Sequence, residues 1–344
     1  MRYDRAAVVL LALAAAVLPL PANWVERWYS RAFYPRLQRL VTPVTDLSPV
    51  ALFDIAIVAL CVALVWAAVR WRRQLGWRGM LRPLAVRVVV TASVLYLWFL
   101  IFWGMNYRRV PLEEQLAYDP AGISREHALR FAGTAVEQVN ALRPSAATTP
   151  AEDAALVPAL ADVQRRLGSA HAPRAGSPKR SLLALYFRKA AIDGMTDPFF
   201  LEVILNPDML PSERPFTLAH EWAHLAGYAD ESEANFLAWL ACIRASPSAQ
   251  YSGWLTAYQQ VASGLPLQDR RALAAELSPA VVADLTAERA RFARSSERVR
   301  VVAHGAYDAY LRANRIEEGI ANYNAVVRLM LGTSFDERWQ PAMR

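Results

Sequence analysis

The sequence predicts a mainly α protein in which three amino-terminal transmembrane helices precede a helix-rich α+β domain with a small sheet. Three observations carry this reading. The first 106 of 344 residues hold three apolar stretches, and the remainder breaks into segments of helical period punctuated by Pro, Gly and Ser. One run, FFLEVIL at Phe199–Leu205, is β-prone and bounded by Asp197-Pro198 and Asn206-Pro207.

Composition supports a membrane portion. The chain is 55% hydrophobic with a mean hydropathy of +0.13, high for a protein wholly in water. Its net charge of +7 invites a nucleic-acid reading, but residues 1–106 hold 12 Arg against 4 acids, and residues 107–344 hold 26 Lys plus Arg against 27 acids. The basic excess sits in the apolar third, which leaves no basic face to track phosphates and excludes nucleic acid as a partner. Cys61 and Cys242 are too few for a disulfide framework and lack metal-ligand spacing, so both are expected as buried thiols.

The apolar stretches run over about 6–20, 49–69 and 88–105. The second and third are long enough to cross a bilayer. The first is short, either a signal peptide or an anchor completed by the interfacial residues Trp24 to Tyr29. Arg2, Arg5 and the six Arg between Arg70 and Arg87 fall on one side, which the positive-inside rule makes cytoplasmic. Residues 107–344 are then an extracytoplasmic domain on a bacterial inner membrane, facing the periplasm or cell exterior, with the lipid bilayer as partner. Asp54, near the outer end of the second span, is expected to reach headgroups or a neighbouring helix.

WGMNYRRVPL, from Trp103, is an aromatic and basic exit from the membrane. Helical period follows over 124–143 with Ser124 as cap, and 144–181 reads as loop around one helix near 152–167. His127 and His171 lie here without partners at ligand spacing and are expected to be ordinary polar residues. FFLEVIL is either a core strand or an edge on which an extended peptide could lie.

The strongest signal is HEWAH, His220 to His224. Two imidazoles four residues apart on a helix share one face and can share one metal ion, and Glu221 stands beside them where a general base is needed. The helix is expected to start near 212–215 and to stop at Gly227 in a left-handed cap. Two His leave zinc one protein ligand short, and Asp230, Glu231 and Glu233 offer carboxylates. Asp230 would complete H-E-x-x-H-x-x-G-x-x-D, similar to the metzincin pattern with Asp for the third His. A second helix, however, starts at residue 231, and Asp230 with Glu233 makes a capping box across its start. Glu231 is left to face the metal, with Asn235 one turn along as a supporting donor. Its E-x-x-A-N spacing resembles the third-ligand helix of gluzincin-like peptidases. HEWAH lies about 115 residues past the last span, so a lipid-embedded site is not expected. Helical period resumes after Tyr251, with breaks at 264–266, 278–279 and 295–296.

Pro178-Lys179, 194–206, PFTLAHEWAH, ESEANFLAWLAC, YSGWL, YDAYLRAN and WGMNYRR together resemble an uncharacterised bacterial family of membrane-anchored HExxH proteins, over roughly residues 45 to 331. The resemblance implies three amino-terminal spans and a zincin-like carboxy-terminal domain. Among His304, Tyr307, Tyr310 and Tyr323, the candidates for stabilising an oxyanion, Tyr307 is preferred because it lies in YDAYLRAN. The expectation is a zinc metallopeptidase acting on a peptide or protein substrate, with Zn²⁺ on His220, His224 and Glu231, and Glu221 as general base. The rival expectation is a non-catalytic zinc-binding sensor, or a peptide- or cell-wall-binding module, on the same fold.

Overall fold

The computed structural model describes residues 2–148, 153–169, 173–314, 316 and 325–344. His171 and Tyr323 lie outside them. The described chain is mostly helical with one three-stranded sheet.

The three expected spans are not three membrane helices. The first apolar stretch forms α1, Arg2–Val17, whose 16 residues rise about 24 Å against a hydrocarbon core of about 30 Å. A bend of 110° separates it from a second helical rod, α2, over Ala22–Thr45, which is π-helical through Val25–Phe33. Among the described residues one element is long and apolar enough to cross a bilayer. This is α3, Leu52–Phe102, and only 11% of its most apolar window is buried in protein. It contains both remaining apolar stretches, broken at Gly76, whose φ of 72° and ψ of 178° suit a residue without Cβ. The break folds α3 back on itself, since Phe53 near one end and Trp98 and Phe99 near the other all pack against Phe199, at 6.1, 6.3 and 6.4 Å between ring centroids. A straight helix would hold positions 53 and 98 about 68 Å apart. Cys61 lies exposed on α3 and only Cys242 is buried, against the expectation of two buried thiols.

Asp54 does not reach toward headgroups. It is buried and accepts hydrogen bonds from Ser181 Oγ at 3.2 Å and Leu182 N at 2.6 Å. Beside it, Glu202 accepts from the N–H groups of Leu52 and Phe53 at 3.1 and 3.2 Å, placing a carboxylate at the positive end of α3. The start of α3 is thereby fixed to the sheet.

Beyond WGMNYRRVPL, α4 covers Arg125–Thr148, with Ser124 Oγ accepting from His127 N, and α5 covers Asp153–Arg166. α4 passes through Pro144, where the sequence suggested a loop. His127 is an ordinary residue, its Nδ1 2.9 Å from Gly122 O. The sheet comprises β1 (Pro178–Lys179), β2 (Gly194–Asp197) and β3 (Glu202–Leu205) in the order β1-β3-β2, with β1 parallel and β2 antiparallel to β3. FFLEVIL therefore supplies the central strand, buried at all four positions, and not an edge. Only its second half is strand, because the Asp197 carboxylate takes the N–H groups of Phe199 and Phe200 into a turn. The edge is β2.

The rest is helical: α6 (Ala184–Ala190), α7 (Arg214–Leu225), α8 (Glu231–Cys242), α9 (Pro247–Ser263), α10 (Leu267–Ala275), α11 (Pro279–Ala293), α12 (Glu297–Ala313) and α13 (Ala325–Gly332). The turns fall at the expected breaks, and Ser246 and Ser278 cap α9 and α11. Every residue of α8 is buried, as an apolar surface on all sides requires. Trp239 on α8 anchors an aromatic cluster with Phe131, Trp254 and Trp339, each 5.6 Å away. The core runs without a break from Val25, Tyr34, Phe99 and Trp103 into Leu218, Leu225 and Trp239.

Candidate metal centre

HEWAH occupies the second half of α7. The helix ends in a Schellman arrangement: Tyr228 N donates to Ala223 O at 3.1 Å, and Gly227 N to His224 O at 2.8 Å, with Gly227 at φ +93°. Donors far away in sequence complete this end. Trp103 Nε1 donates to His224 O at 3.1 Å, Tyr34 Oη to Leu225 O at 2.8 Å and Arg109 Nη1 to Gly227 O at 3.0 Å. A Cβ on Gly227 would stand 3.0 Å from the Tyr34 ring and 3.1 Å from Asn106 Oδ1. Gly227→Ala is accordingly expected to cost about 2 kcal/mol from left-handed strain and crowding, seen as a thermal midpoint lowered by a few degrees.

The turn at 227–230 delivers α8 with its first residue against the two imidazoles. Asp230 caps α8, its side chain accepting from Ser232 N and Glu233 N. The expected return leg of the capping box is absent, because the Glu233 carboxylate accepts from Leu112 N at 2.5 Å instead. Burial, with Asp230 adding to it, pushes Glu233 up to about 8. Asp230 and Glu233 are thus both committed elsewhere, and Glu231 faces the His pair. Asn235, expected as a supporting donor, leaves its buried Nδ2 without a hydrogen-bond partner.

His220, His224 and Glu231 bring three ligand atoms together within 4.8 Å. His220 Nε2 and His224 Nε2 are 3.0 Å apart, and Glu231 Oε2 is 3.3 and 3.5 Å from them. Ligand atoms about 2.0–2.2 Å from a tetrahedral zinc lie about 3.3–3.6 Å from one another; both distances to Glu231 fall in this range, and the 3.0 Å between the two imidazoles lies about 0.3 Å below it, so a shared zinc needs the rings only slightly further apart. The outer nitrogen of His224 lies 2.7 Å from Tyr228 O, which places the proton on Nδ1 and turns the Nε2 lone pair inward. Among the described residues, buried Glu231 Oε2 has no neighbour at hydrogen-bond geometry and only the two imidazoles close by, an arrangement that fits a shared cation. Burial would raise the Glu231 carboxyl, yet the two imidazoles hold it well below the usual range. Burial likewise opposes charge on His224, but Glu231 lifts it to about 9.

Glu221, 4% exposed, is held alongside by β2. Thr196 Oγ1 lies 2.8 Å from Glu221 Oε2 and 2.9 Å from Glu221 O. A Cβ on Gly194 would collide with Glu221 Oε1, so glycine there makes room for the carboxylate. Burial raises the Glu221 carboxyl, and the two imidazoles and Thr196 counter it. Neither Thr196 nor Gly194 was assigned a role from the sequence, although both lie in the 194–206 segment that carried the family resemblance. Tyr307 Oη donates to Glu231 Oε1, and its ring stacks on Tyr310 at 5.9 Å. His304 is exposed and does not join the cluster.

The separation of about 115 residues between the last apolar stretch and HEWAH does not become distance in space. Trp103 follows directly on α3, and its ring meets that of His224 at 6.1 Å. Phe99, in the last turn of α3, packs on Tyr310.

A family model described as "Protein of unknown function (DUF3810)" matches residues 29–331. No curated protein and no solved structure matches the chain.

Proposed function

The chain belongs to that family, and for it we propose a membrane-anchored zinc metallopeptidase with a zincin-like catalytic domain. The single observation behind this reading is the convergence of His220, His224 and Glu231, with ligand atoms 3.0–3.5 Å apart, close to the edge lengths of a tetrahedral zinc site, and with Glu221 fixed next to them. When bound, zinc supplies a Lewis acid that polarises a peptide carbonyl and acidifies water. Glu221, positioned by Thr196 and shielded from bulk solvent, takes a proton from the attacking water and returns it to the leaving amine. β2 is the sheet edge nearest the site, so it takes the role first considered for FFLEVIL: an extended substrate pairs with its free backbone groups. The orientation is that of the positive-inside reading. The six Arg between Arg70 and Arg87 flank the Gly76 break, at the end of α3 remote from the domain, so this turn lies in the cytoplasm and the catalytic domain in the periplasm or cell exterior.

Zinc analysis of the full chain purified in detergent tests the site, and cleavage of a peptide library tests the activity. One zinc per chain with cleavage is expected. Absence of zinc would sink the reading, and one zinc without cleavage would assign a binding module instead. Tyr307 enters through its bond to Glu231, so Tyr307→Phe is expected to weaken zinc binding by about 10–100-fold in competition with a chelator.

A further inference from the structure

α2 carries apolar residues on both sides. Its protein-facing side buries Val25, Tyr29 and Tyr34 together with the polar residues Glu26, Ser30, Gln38, Thr42 and Thr45. Its outward side exposes Trp24, Trp28, Phe33, Leu40 and Val44, with Leu47 just beyond, at 45–85% exposure. These form one stripe. The i→i+5 bonding of the π-helical stretch keeps Phe33 in line with Trp28 five residues earlier, and steps of seven, four and three then carry the stripe to Leu47. A contiguous apolar stripe on a water-facing surface calls for a covering partner.

Three features identify that partner as lipid. α1 packs along α3, and α2 leaves α1 at 110°, so with α3 crossing the bilayer α2 lies close to the membrane plane. α2 meets α3 where the apolar element ends, because Tyr29 Oη donates to Ile101 O in its last turn. The stripe carries Trp24 and Trp28 with exposed Arg27, Arg36 and Arg39 along the helix, and Arg27 stands 5.0 Å over the Trp28 ring. Trp beside Arg on an amphipathic helix is the composition of the headgroup boundary.

We propose that α2 lies in the bilayer interface with this stripe in the headgroup and acyl boundary, a second seat on the membrane besides α3. The assignment goes beyond the peptidase reading and stands whether or not the chain cleaves peptides. Spin labels on Leu40→Cys and Val44→Cys in the full chain, with Cys61→Ala and buried Cys242 retained, would be compared with a label at exposed Gln268. The protein is placed in phosphatidylethanolamine and phosphatidylglycerol vesicles, and collision rates with oxygen and with a water-soluble nickel chelate are read by electron paramagnetic resonance. The oxygen-to-nickel ratio is expected to be several-fold higher at both α2 positions than at residue 268. A ratio equal to that at residue 268 would overturn the proposal. So would protection from both reagents, which signals protein cover, or spin–spin broadening, which signals a second copy of the chain. Both labels replace exposed side chains, so the core that folds the domain is untouched.

Discussion

Glu221→Gln is expected to reduce peptide hydrolysis by about 10²–10⁴-fold while zinc stays at one per chain. The substitution keeps the shape of the side chain, and the amide oxygen still accepts from Thr196 Oγ1, so β2 and α7 remain in register. What is lost is a group that can carry a proton. The ligands His220, His224 and Glu231 are untouched, and metal analysis of the variant therefore separates a failed base from a failed site. A variant that retained full turnover would remove Glu221 from the chemistry and with it the proposed division of roles.

Arg109→Ala is expected to cost about 3 kcal/mol, at the low end for breaking a buried ion pair. Arg109 Nη2 lies 2.9 Å from Glu26 Oε1, its guanidinium stands 4.4 Å over the Tyr228 ring, and Nη1 donates to Gly227 O. Removing it leaves Glu26 to Arg31 alone and leaves a carbonyl at the end of α7 without its donor. Tyr228, whose carbonyl sets the tautomer of His224, loses the ring contact that positions it. A lower thermal midpoint and weaker zinc retention should therefore appear together. An unchanged midpoint with weakened zinc would assign Arg109 to the metal centre alone.

The parts of this site that were legible in the sequence are those whose spacing is local. HEWAH needs only the helical period, and Glu231 follows from the start of α8 because Asp230 is used in capping. Glu233 is kept from the metal by a different bond from the one its spacing suggests, since its carboxylate is held by Leu112 N and not by the cap. The helix breaks after Tyr251 were legible for the same reason, as Ser and Pro act on their immediate neighbours. Contacts between residues far apart in the chain left no such trace. Thr196 finds Glu221 across 25 positions, and Tyr34 finds Leu225 across 191. Apolar windows also count stretches without showing how they join. Two of the three expected spans proved to be arms of one element folded at Gly76, and the first proved too short. The β-prone composition and bounding residues of FFLEVIL indicated a strand but could not say which strands would flank it, so its central position emerged only from the pairing of β1 and β2.

The carbonyls that close α7 draw their donors from Tyr34, Trp103 and Arg109, all supplied by the segments that lead into and out of the anchor. On the proposed reading, the apolar element is consequently no leash from which the domain carrying the metal centre could be shed in working order. On the same reading, loss of residues 1–109 would take away all three struts of the helix carrying both histidines, so release by such a cut is expected to weaken the metal centre and not to set a working enzyme free.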